Sequence, residues 1–508
     1  MRSSRRSSTA WGAALGYASI ALGIGRNIVL VPLYLQFLSP TEYGAWLATG
    51  GTLVQLLASD FGVGGVILQR TAAASGAGDN DRLSVLLGTA WTSSIVIALI
   101  VSAITAALTP FIPRLLGLDA AIAGVVVNCF LLSIVANAIS IVGIISGNLL
   151  RGLQLATSAG IIQLIAEILV IAVTVLLLCH GYGLYSLAWG MLARALFAAV
   201  GCACVAYHVC VRQMGLLPRL RAQESRRLVV DSSRLFVVSL SMKMLTRSDV
   251  FFVAALLGSS SAAVYGLTIR IIDTVSMLIS QLTTALLPGM AHLYGEGDIT
   301  RFRDILNRVT PVLSALALAG LATAAFLDRD FVSLWVGRGL YGGSTLAFLF
   351  AAAAFVSVVG FIAYDVLMAA GRFQFIARTF TIFAMVQVPA TILLLQWVGI
   401  AGAPIAIALS SLGWCISLWT QVPRVISPQS LDFGTLRRAL GASMIVVTII
   451  IGLGMWSAPA ALSWTMLGAM AIATAIIILA GILIVSRDIR IAAKHEAWAT
   501  LNALGWKS

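Results

Sequence analysis

Long, nearly uninterrupted apolar runs recur along the whole 508-residue chain, and they limit what it can fold into. A helix needs about 20 predominantly apolar residues to cross the hydrocarbon core of a bilayer. Charged residues make up only 10% of the chain, against about 25% in a typical soluble domain. The runs therefore predict an all-α polytopic membrane protein. They exclude a soluble enzyme, a secreted disulfide scaffold and an outer-membrane barrel, whose strands alternate over about ten residues.

Fourteen of these runs are interpreted as transmembrane helices. The segments between them are short, so we expect no extramembrane domain. The predicted spans lie near residues 11–35, 44–69, 85–110, 122–147, 158–180, 184–210, 234–257, 262–288, 309–327, 344–370, 374–398, 400–422, 437–457 and 462–485.

The basic residues outside the runs predict the orientation of the chain. With the N-terminus in the cytoplasm, only Arg114, Arg329 and Arg338 fall on the outer side, and all the others fall on the cytoplasmic side. Cytoplasmic loops collect Lys and Arg. We therefore expect a multi-pass membrane protein with both termini in the cytoplasm. The net charge of +13 is then explained by orientation and by attraction to membrane lipids, and not by nucleic acid.

Short motifs that recur in the same order predict an internal repeat of six helices. Chance matching of common glycine dipeptides is the alternative. The repeat predicts an N-terminal lobe over residues 1–220 and a C-terminal lobe over 221–425, with helices 13 and 14 and a cytoplasmic tail over 426–508. The matched motifs are Arg26, Tyr43-Gly44 and Gly78-Asp79 in the first copy, and Arg247, Tyr265-Gly266 and Gly297-Asp298 in the second.

Ionisable residues interrupt several of the apolar runs. On insertion scales each costs about 2.5–3.5 kcal/mol at the centre of a transmembrane helix. Together they would cost more than a folded protein's usual net stability of about 5–15 kcal/mol, so they must face one another or a water-filled cavity. They are Arg26, Arg194, Lys243, Arg247, Arg270, Asp60, Glu167, Asp249, Asp273 and Asp365.

Four of the arginines are expected at one depth. At a rise of 1.5 Å per residue, each lies about 12–15 Å from the outer end of its predicted helix. Guanidinium groups gathered in a cavity form a receptor for an anion, because their planar forks donate hydrogen bonds in pairs to phosphate. We hypothesise that the phosphate region of a substrate is bound by Arg26, Arg194, Arg247 and Arg270.

Three of the acids are candidates for coupling and gating: Asp60, Glu167 and Asp273. Structural interpretations of two of them stay open. Asp273 lies three residues from Arg270 and can neutralise it, and Glu167 can pair with Arg194 to lock two helices together. Proton-coupled, sodium-coupled and uncoupled transport are not distinguished by these residues.

The segment GRNIVLVPLYLQFLSPTEYGAW at residues 25–46 resembles the opening of polysaccharide (O-antigen type) flippases of the multidrug/oligosaccharidyl-lipid/polysaccharide (MOP) exporter superfamily. The segments DFGV at 60–63 and LRGLQ at 150–154 are also similar to that family. The resemblance implies a two-lobed, MATE-like helical transporter. Such proteins lie in the bacterial cytoplasmic (inner) membrane and move a lipid-linked oligosaccharide, carried on undecaprenyl pyrophosphate, to the outer leaflet by alternating access.

The resemblance also implies partners and residue roles. The pathway would build a surface polysaccharide such as O-antigen or exopolysaccharide, and its polymerase and glycosyltransferases are candidate partners. The family's first-helix arginine falls on Arg26, and its Glu-Tyr-Gly turn begins at Glu42, which joins the gating candidates. Arg270 and Asp273 resemble the eighth-helix arginine and acid of lipid II flippases.

Alternative functions are a drug/cation antiporter of the same superfamily, a lipid II flippase, a fourteen-helix major facilitator and a membrane-embedded enzyme. The antiporters use a first-helix carboxylate, whereas this helix carries Arg26. No P-loop or catalytic motif is present in the sequence, so we expect neither an enzyme nor a cofactor. Four residues look like metal ligands but are interpreted as buried helix positions, because residues 202 and 204 point to nearly opposite sides of a helix. They are Cys202, Cys204, His208 and Cys210.

Overall fold

The structure is a computed structural model that describes residues 2–54, 62–221, 236–426, 441 and 463–485. Every element of secondary structure in these ranges is a helix, which confirms the predicted all-α fold. Asp60 and nearly all of the predicted span 437–457 lie outside the described residues.

The chain folds into two compact units, Met1–Ala263 and Val264–Ser508. The α-helices longer than about one turn in the first unit are α1 (Arg2–Phe37), α2 (Pro40–Trp46), α3 (Val63–Ala77), α4 (Asn80–Leu108), α5 (Ala120–Gly152), α6 (Ala156–Cys179), α7 (Tyr185–Tyr207), α8 (236–247) and α9 (Asp249–Leu257). The one-turn helix Ile112–Leu115 follows α4. Helix α10 (Ser259–Thr268) crosses the boundary. Those of the second unit are α11 (Arg270–Glu296), α12 (Ile299–Trp335), α13 (Ser344–Ala369), α14 (Phe373–Val398), α15 (Gly402–Trp419), α16 (Val422–Ile426) and α17 (Trp464–Val485).

The first unit continues into α9 because that helix packs against the π-helical turn Leu47–Leu53, which follows α2 directly. The predicted division of the chain into lobes at residues 220 and 425 follows the sequence repeat and stays a prediction.

The repeated Gly-Asp motif has the same local structure in both copies. Gly78 and Gly297 end their helices in the left-handed region, with φ of 68° and 77°, where a side chain would be strained. Asp79 then caps α4 by accepting a hydrogen bond from the Arg82 backbone at 2.9 Å. Asp298 caps α12 in the same way, from the backbone nitrogen three residues further on, at 3.0 Å. Each motif therefore stops one helix and starts the next.

The helices also pack in the same order in the two units. In the first, α5 lies against α4 and α7, and α7 lies against α6. In the second, α13 lies against α12 and α15, and α15 lies against α14. Matching neighbours at matching positions agree with the predicted pair of six-helix lobes.

Ten helical stretches among the described residues are long and apolar enough to cross a membrane, and one of them, Phe373–Ile426, contains both α14 and α15. The ninth predicted span, 309–327, is shorter than the helix that contains it. Helix α12 runs from Ile299 to Trp335, and the charged run 328–330 does not interrupt it. The seventh is broken, since α8 ends at Arg247 and Ser248 separates it from α9. The chain is a multi-pass membrane protein.

Candidate functional site

A buried carboxylate joins three helices of the first unit. Glu167 lies on α6, which packs between α1 and α7. Arg26 of α1 donates from Nη1 to Glu167 Oε2 at 3.0 Å. Arg194 of α7 donates from Nε to Glu167 Oε1 at 2.6 Å. Each carboxylate oxygen therefore serves one arginine, and the three side chains form what we call the Glu167 cluster.

The local sequence explains why α6 and α7 come close enough for this pairing. Glu167, Val170 and Thr174 recur at helical spacing on one face of α6. Gly190 lies one turn before Arg194 on α7, and a Cβ at Gly190 would collide with the Thr174 hydroxyl. The absence of a side chain at Gly190 lets the antiparallel helices approach. This approach places the Arg194 guanidinium against the carboxylate one to two turns further along.

The Glu167 cluster carries a surplus positive charge. Two guanidinium groups and one carboxylate sum to +1, because arginine stays protonated in proteins. The Glu167 side chain is 9% exposed, whereas those of Arg26 and Arg194 are 23% and 40% exposed. Each arginine has five N–H donors. Within the described ranges, each uses only one of them, to donate to Glu167. The other donors are available to a ligand.

The cluster lies well inside the predicted hydrocarbon layer. Arg26, Glu167 and Arg194 are each part of a candidate span. At 1.5 Å per residue, Arg26 and Glu167 lie about 17 and 18 Å from the C-terminal ends of their helices, and Arg194 lies about 14 Å from the N-terminal end of α7, roughly half of the 30 Å hydrocarbon thickness. A unit positive charge at this depth favours binding of an anion. The two paired oxygens of Glu167 hold both guanidinium groups in place for such a ligand.

The other two arginines that were predicted to bind phosphate lie on helices that do not contribute to the Glu167 cluster. Arg247 is the exposed last residue of α8, in the first unit. Arg270 is the first residue of α11, in the second unit, and its Nε is buried without a hydrogen-bond partner among the described residues. Asp273 follows one turn later on α11. The gathering of all four arginines at one site stays a prediction.

Glu42 has a clear structural role at the start of α2. Its backbone N–H donates to Ser39 Oγ at 3.2 Å, and its carboxylate accepts a hydrogen bond from the Ser39 backbone at 2.8 Å. This reciprocal pair is a capping box, with Pro40 as the first helical residue. The proposed gating role of Glu42 stays a prediction.

Sequence reasoning missed Asp328, which lies in α12 with no exposed surface. Both of its carboxylate oxygens lack a hydrogen-bond partner among the described residues. Burial raises the pKa of Tyr341, in the loop after α12, and the nearby Asp328 carboxylate raises that pKa further. The predicted span stopped at residue 327 because Asp328 begins a charged run. The apolar residues Phe331 and Trp335 at helical spacing were the signal that the buried helix continues.

A second buried acid, Asp365 of α13, lies inside the other unit. It is 7% exposed, and its Oδ2 is buried without a hydrogen-bond partner among the described residues. It lines a small cavity of about 20 Å³, enough for one water molecule. The sequence identified Asp365 as a buried charge and gave it no role.

The cysteine-histidine motif on α7 does not assemble as a metal site. Cys202 and Cys210 are buried, whereas Cys204 is exposed. Within the part of the chain that the structure describes, no three His, Cys, Asp or Glu side chains come together as metal ligands.

Comparison with known proteins identifies a matching family and solved structures with a similar fold. Residues 36–339 match the model of a family described as polysaccharide biosynthesis protein. No curated protein matches the chain. An inward-facing multidrug resistance MATE family transporter of the MOP superfamily is 16% identical with a TM-score of 0.62, covering 81% of this chain and 96% of its own. The lipid II flippase MurJ, in an inward closed conformation, is 12% identical with a TM-score of 0.63, covering 92% and 97%. At these identities the likeness establishes a shared MATE-like fold.

Proposed function

Because the chain belongs to the polysaccharide biosynthesis protein family, we propose that it is a flippase for a polyprenyl-pyrophosphate-linked oligosaccharide. It moves this substrate across the bacterial cytoplasmic membrane by alternating access, for the synthesis of a surface polysaccharide. The observation that carries the proposal is the surplus positive charge of the Glu167 cluster at mid-depth. A cargo with a pyrophosphate supplies the opposite charge at the point where the lipid and the glycan meet.

In this proposal the Glu167 cluster is a preformed phosphate receptor. Arg194 contacts Glu167 through Nε, so its terminal nitrogens stay available to donate to a phosphate oxygen. Arg26 contacts Glu167 through Nη1 and keeps its other nitrogens for the same ligand. Glu167 orients both guanidinium groups before the substrate arrives, which lowers the entropy lost on binding.

The same charge argues against a cation as cargo. A drug or metal cation entering this site would meet a net charge of +1 and would be repelled, whereas a carboxylate-rich site would attract it. The drug/cation antiporter is therefore the less favoured alternative. A lipid II flippase would also carry a pyrophosphate-linked glycan, and the substrate used in the assay separates the two flippases.

The test is a leaflet assay with the full-length protein in liposomes. A short oligosaccharide on polyprenyl pyrophosphate is loaded in one leaflet, and its arrival in the other is followed with an impermeant glycan-cleaving enzyme. We expect transfer without chemical change to the substrate. Arg26→Ala should abolish transfer while leaving membrane insertion intact. Arg114→Ala, at an exposed arginine of the one-turn helix Ile112–Leu115 that follows α4, is the matched control and should transfer normally.

Normal transfer by Arg26→Ala would refute the role of the cluster. Transfer of lipid II at equal or higher rate would reassign the cargo to that lipid. Formation of a new glycosidic bond in the liposomes, detected by mass spectrometry, would instead indicate an enzyme.

A further inference from the structure

A groove of about 710 Å³ lies on the first unit and includes none of the three side chains of the Glu167 cluster. Its walls are Trp91 and Ile95 of α4 and Cys204 of α7, with Val142 of α5 between them. Helix α5 packs against both α4 and α7 and forms the floor. The volume is in the range of small-molecule sites, about 300–1,000 Å³. These mainly apolar walls suit a hydrocarbon chain.

One end of the groove is polar. Tyr207, His208 and Arg212 line it where α7 continues as the π-helical turn His208–Gln213. Such turns are rare and often occur at functional sites. The amide of Gln213 lies 3.2 Å from the His208 ring, nitrogen to nitrogen. Arg212 is exposed, and it has no hydrogen bond or ion pair to any residue in the described ranges. The groove thus ends at a guanidinium that is available to an anion.

The segment after the π-helical turn has the character of a membrane–water boundary. It returns along the start of α4, where the Arg219 backbone donates to the Ser84 carbonyl at 3.0 Å and the Arg219 side chain pairs with Asp81 at 3.2 Å. Leu217 and Leu220 beside it are 64% and 63% exposed. Exposed leucines next to arginines are typical of the headgroup region, where apolar side chains enter the acyl layer. The groove therefore starts at this boundary and runs inward.

The length of the groove matches one leaflet. Its wall on α7 and the following π-helical turn covers residues 203–212, about 14 Å at 1.5 Å per residue, and half of the hydrocarbon core is about 15 Å thick. A phospholipid acyl chain fits this depth, whereas a polyprenyl chain is longer than one leaflet. Anionic headgroups attract arginines at the membrane surface.

We propose that this groove binds one anionic phospholipid, with an acyl chain between α4 and α7 and the phosphate at Arg212 beside His208. The proposal does not depend on which cargo the protein moves. Occupancy of the groove at the end of α7, the helix that also carries Arg194, would then depend on the anionic lipid content of the surrounding leaflet.

Cysteine labelling tests this on the full-length protein in detergent. Cys204 lines the groove, and Cys179 is exposed at the far end of α6; the other four cysteines are buried. Maleimide labelling of each thiol is followed by peptide mass spectrometry while phosphatidylglycerol or phosphatidylcholine is added. We expect phosphatidylglycerol to protect Cys204 and to leave Cys179 unchanged, and phosphatidylcholine to protect Cys204 much less.

The variant Arg212→Gln should raise the phosphatidylglycerol concentration needed for protection about tenfold or more, the effect of losing one charge-assisted hydrogen bond. Arg114→Gln makes the same change at an exposed arginine at the opposite end of the unit and should leave that concentration unchanged. Native mass spectrometry should find one phosphatidylglycerol fewer on Arg212→Gln than on the wild type.

Three results would each overturn the proposal. The first is equal protection by phosphatidylcholine, which would mean that the headgroup is not recognised. The second is protection by a polyprenyl diphosphate but not by phosphatidylglycerol, which would assign the groove to the substrate's tail. The third is a Cys204 that labels at the same rate with every lipid or that never labels.

Discussion

Glu167→Gln tests how much the negative charge of Glu167, the residue that joins α1 to α7, contributes to stability. Glutamine keeps the side-chain volume and one acceptor oxygen, but it raises the charge of the cluster from +1 to +2. Breaking a buried ion pair by removing one partner costs about 3–5 kcal/mol. Glu167 is 9% exposed, but Arg26 and Arg194 are 23% and 40% exposed, so part of the uncompensated charge is screened. We therefore expect a loss of about 3 kcal/mol, the lower end of that range.

The assay is thermal unfolding of the purified full-length protein. At about 2 °C per kcal/mol for a unit of this size, the loss lowers the Tm by about 6 °C. Arg194→Gln should lower it less, because Arg194 is the more exposed partner and Glu167 keeps its bond to Arg26. The double variant Glu167→Gln/Arg194→Gln should lose less than the sum of the single variants, with a coupling of about 0.5–3 kcal/mol.

Two results would contradict this reasoning. A Tm of Glu167→Gln within 1 °C of the wild type would show that the carboxylate does not stabilise the two arginines, by the same scale of about 2 °C per kcal/mol. Strict additivity in the double variant would show that Glu167 and Arg194 do not interact.

Three other substitutions test the surrounding structure by the Tm. Gly190→Leu places a side chain against Thr174 and should lower the free energy of unfolding by about 1–3 kcal/mol. The control is the same change at Gly124, which has open space around it. An unchanged Tm of Gly190→Leu would mean that α6 and α7 are not in close contact. Asp328→Asn removes a buried carboxylate that has no hydrogen-bond partner among the described residues and should raise the Tm; a lower Tm would reveal a partner for the acid. Ser39→Ala removes the α2 cap and should cost about 0.5–2 kcal/mol, and no loss would show that the capping box does not stabilise α2.

Much of the fold follows from local patterns in the chain. The apolar runs predicted the helices because the length that spans a bilayer is a property of each segment alone. The Gly-Asp motifs at 78–79 and 297–298 marked the repeat in the sequence, and the structure shows a matching helix junction at each, because a left-handed glycine and an aspartate cap act within one turn of backbone. The limits of α12 were predicted less well, because a short charged run looks the same in a loop and in a buried helix.

Only part of the candidate site could be predicted from the sequence. Arg26, Arg194 and Glu167 were each identified as buried charges, and the pairing of Arg194 with Glu167 was one of two open interpretations. That Arg26 shares the same carboxylate was not predicted, since 141 residues separate it from Glu167. Nothing in the local sequence marked Asp328 as a buried acid, because its burial depends on helices packed around α12.

The sequence by itself determined that this chain spans the membrane many times and that it carries positive charge at mid-depth. Both are properties of segments measured against a bilayer of known thickness. Only the tertiary structure decided which charges compensate each other. The rotation of each helix about its axis and the close approach at Gly190 bring two arginines to one glutamate. Since the cluster consists of side chains from three helices, its net charge of +1 is set by packing and not by any one of them.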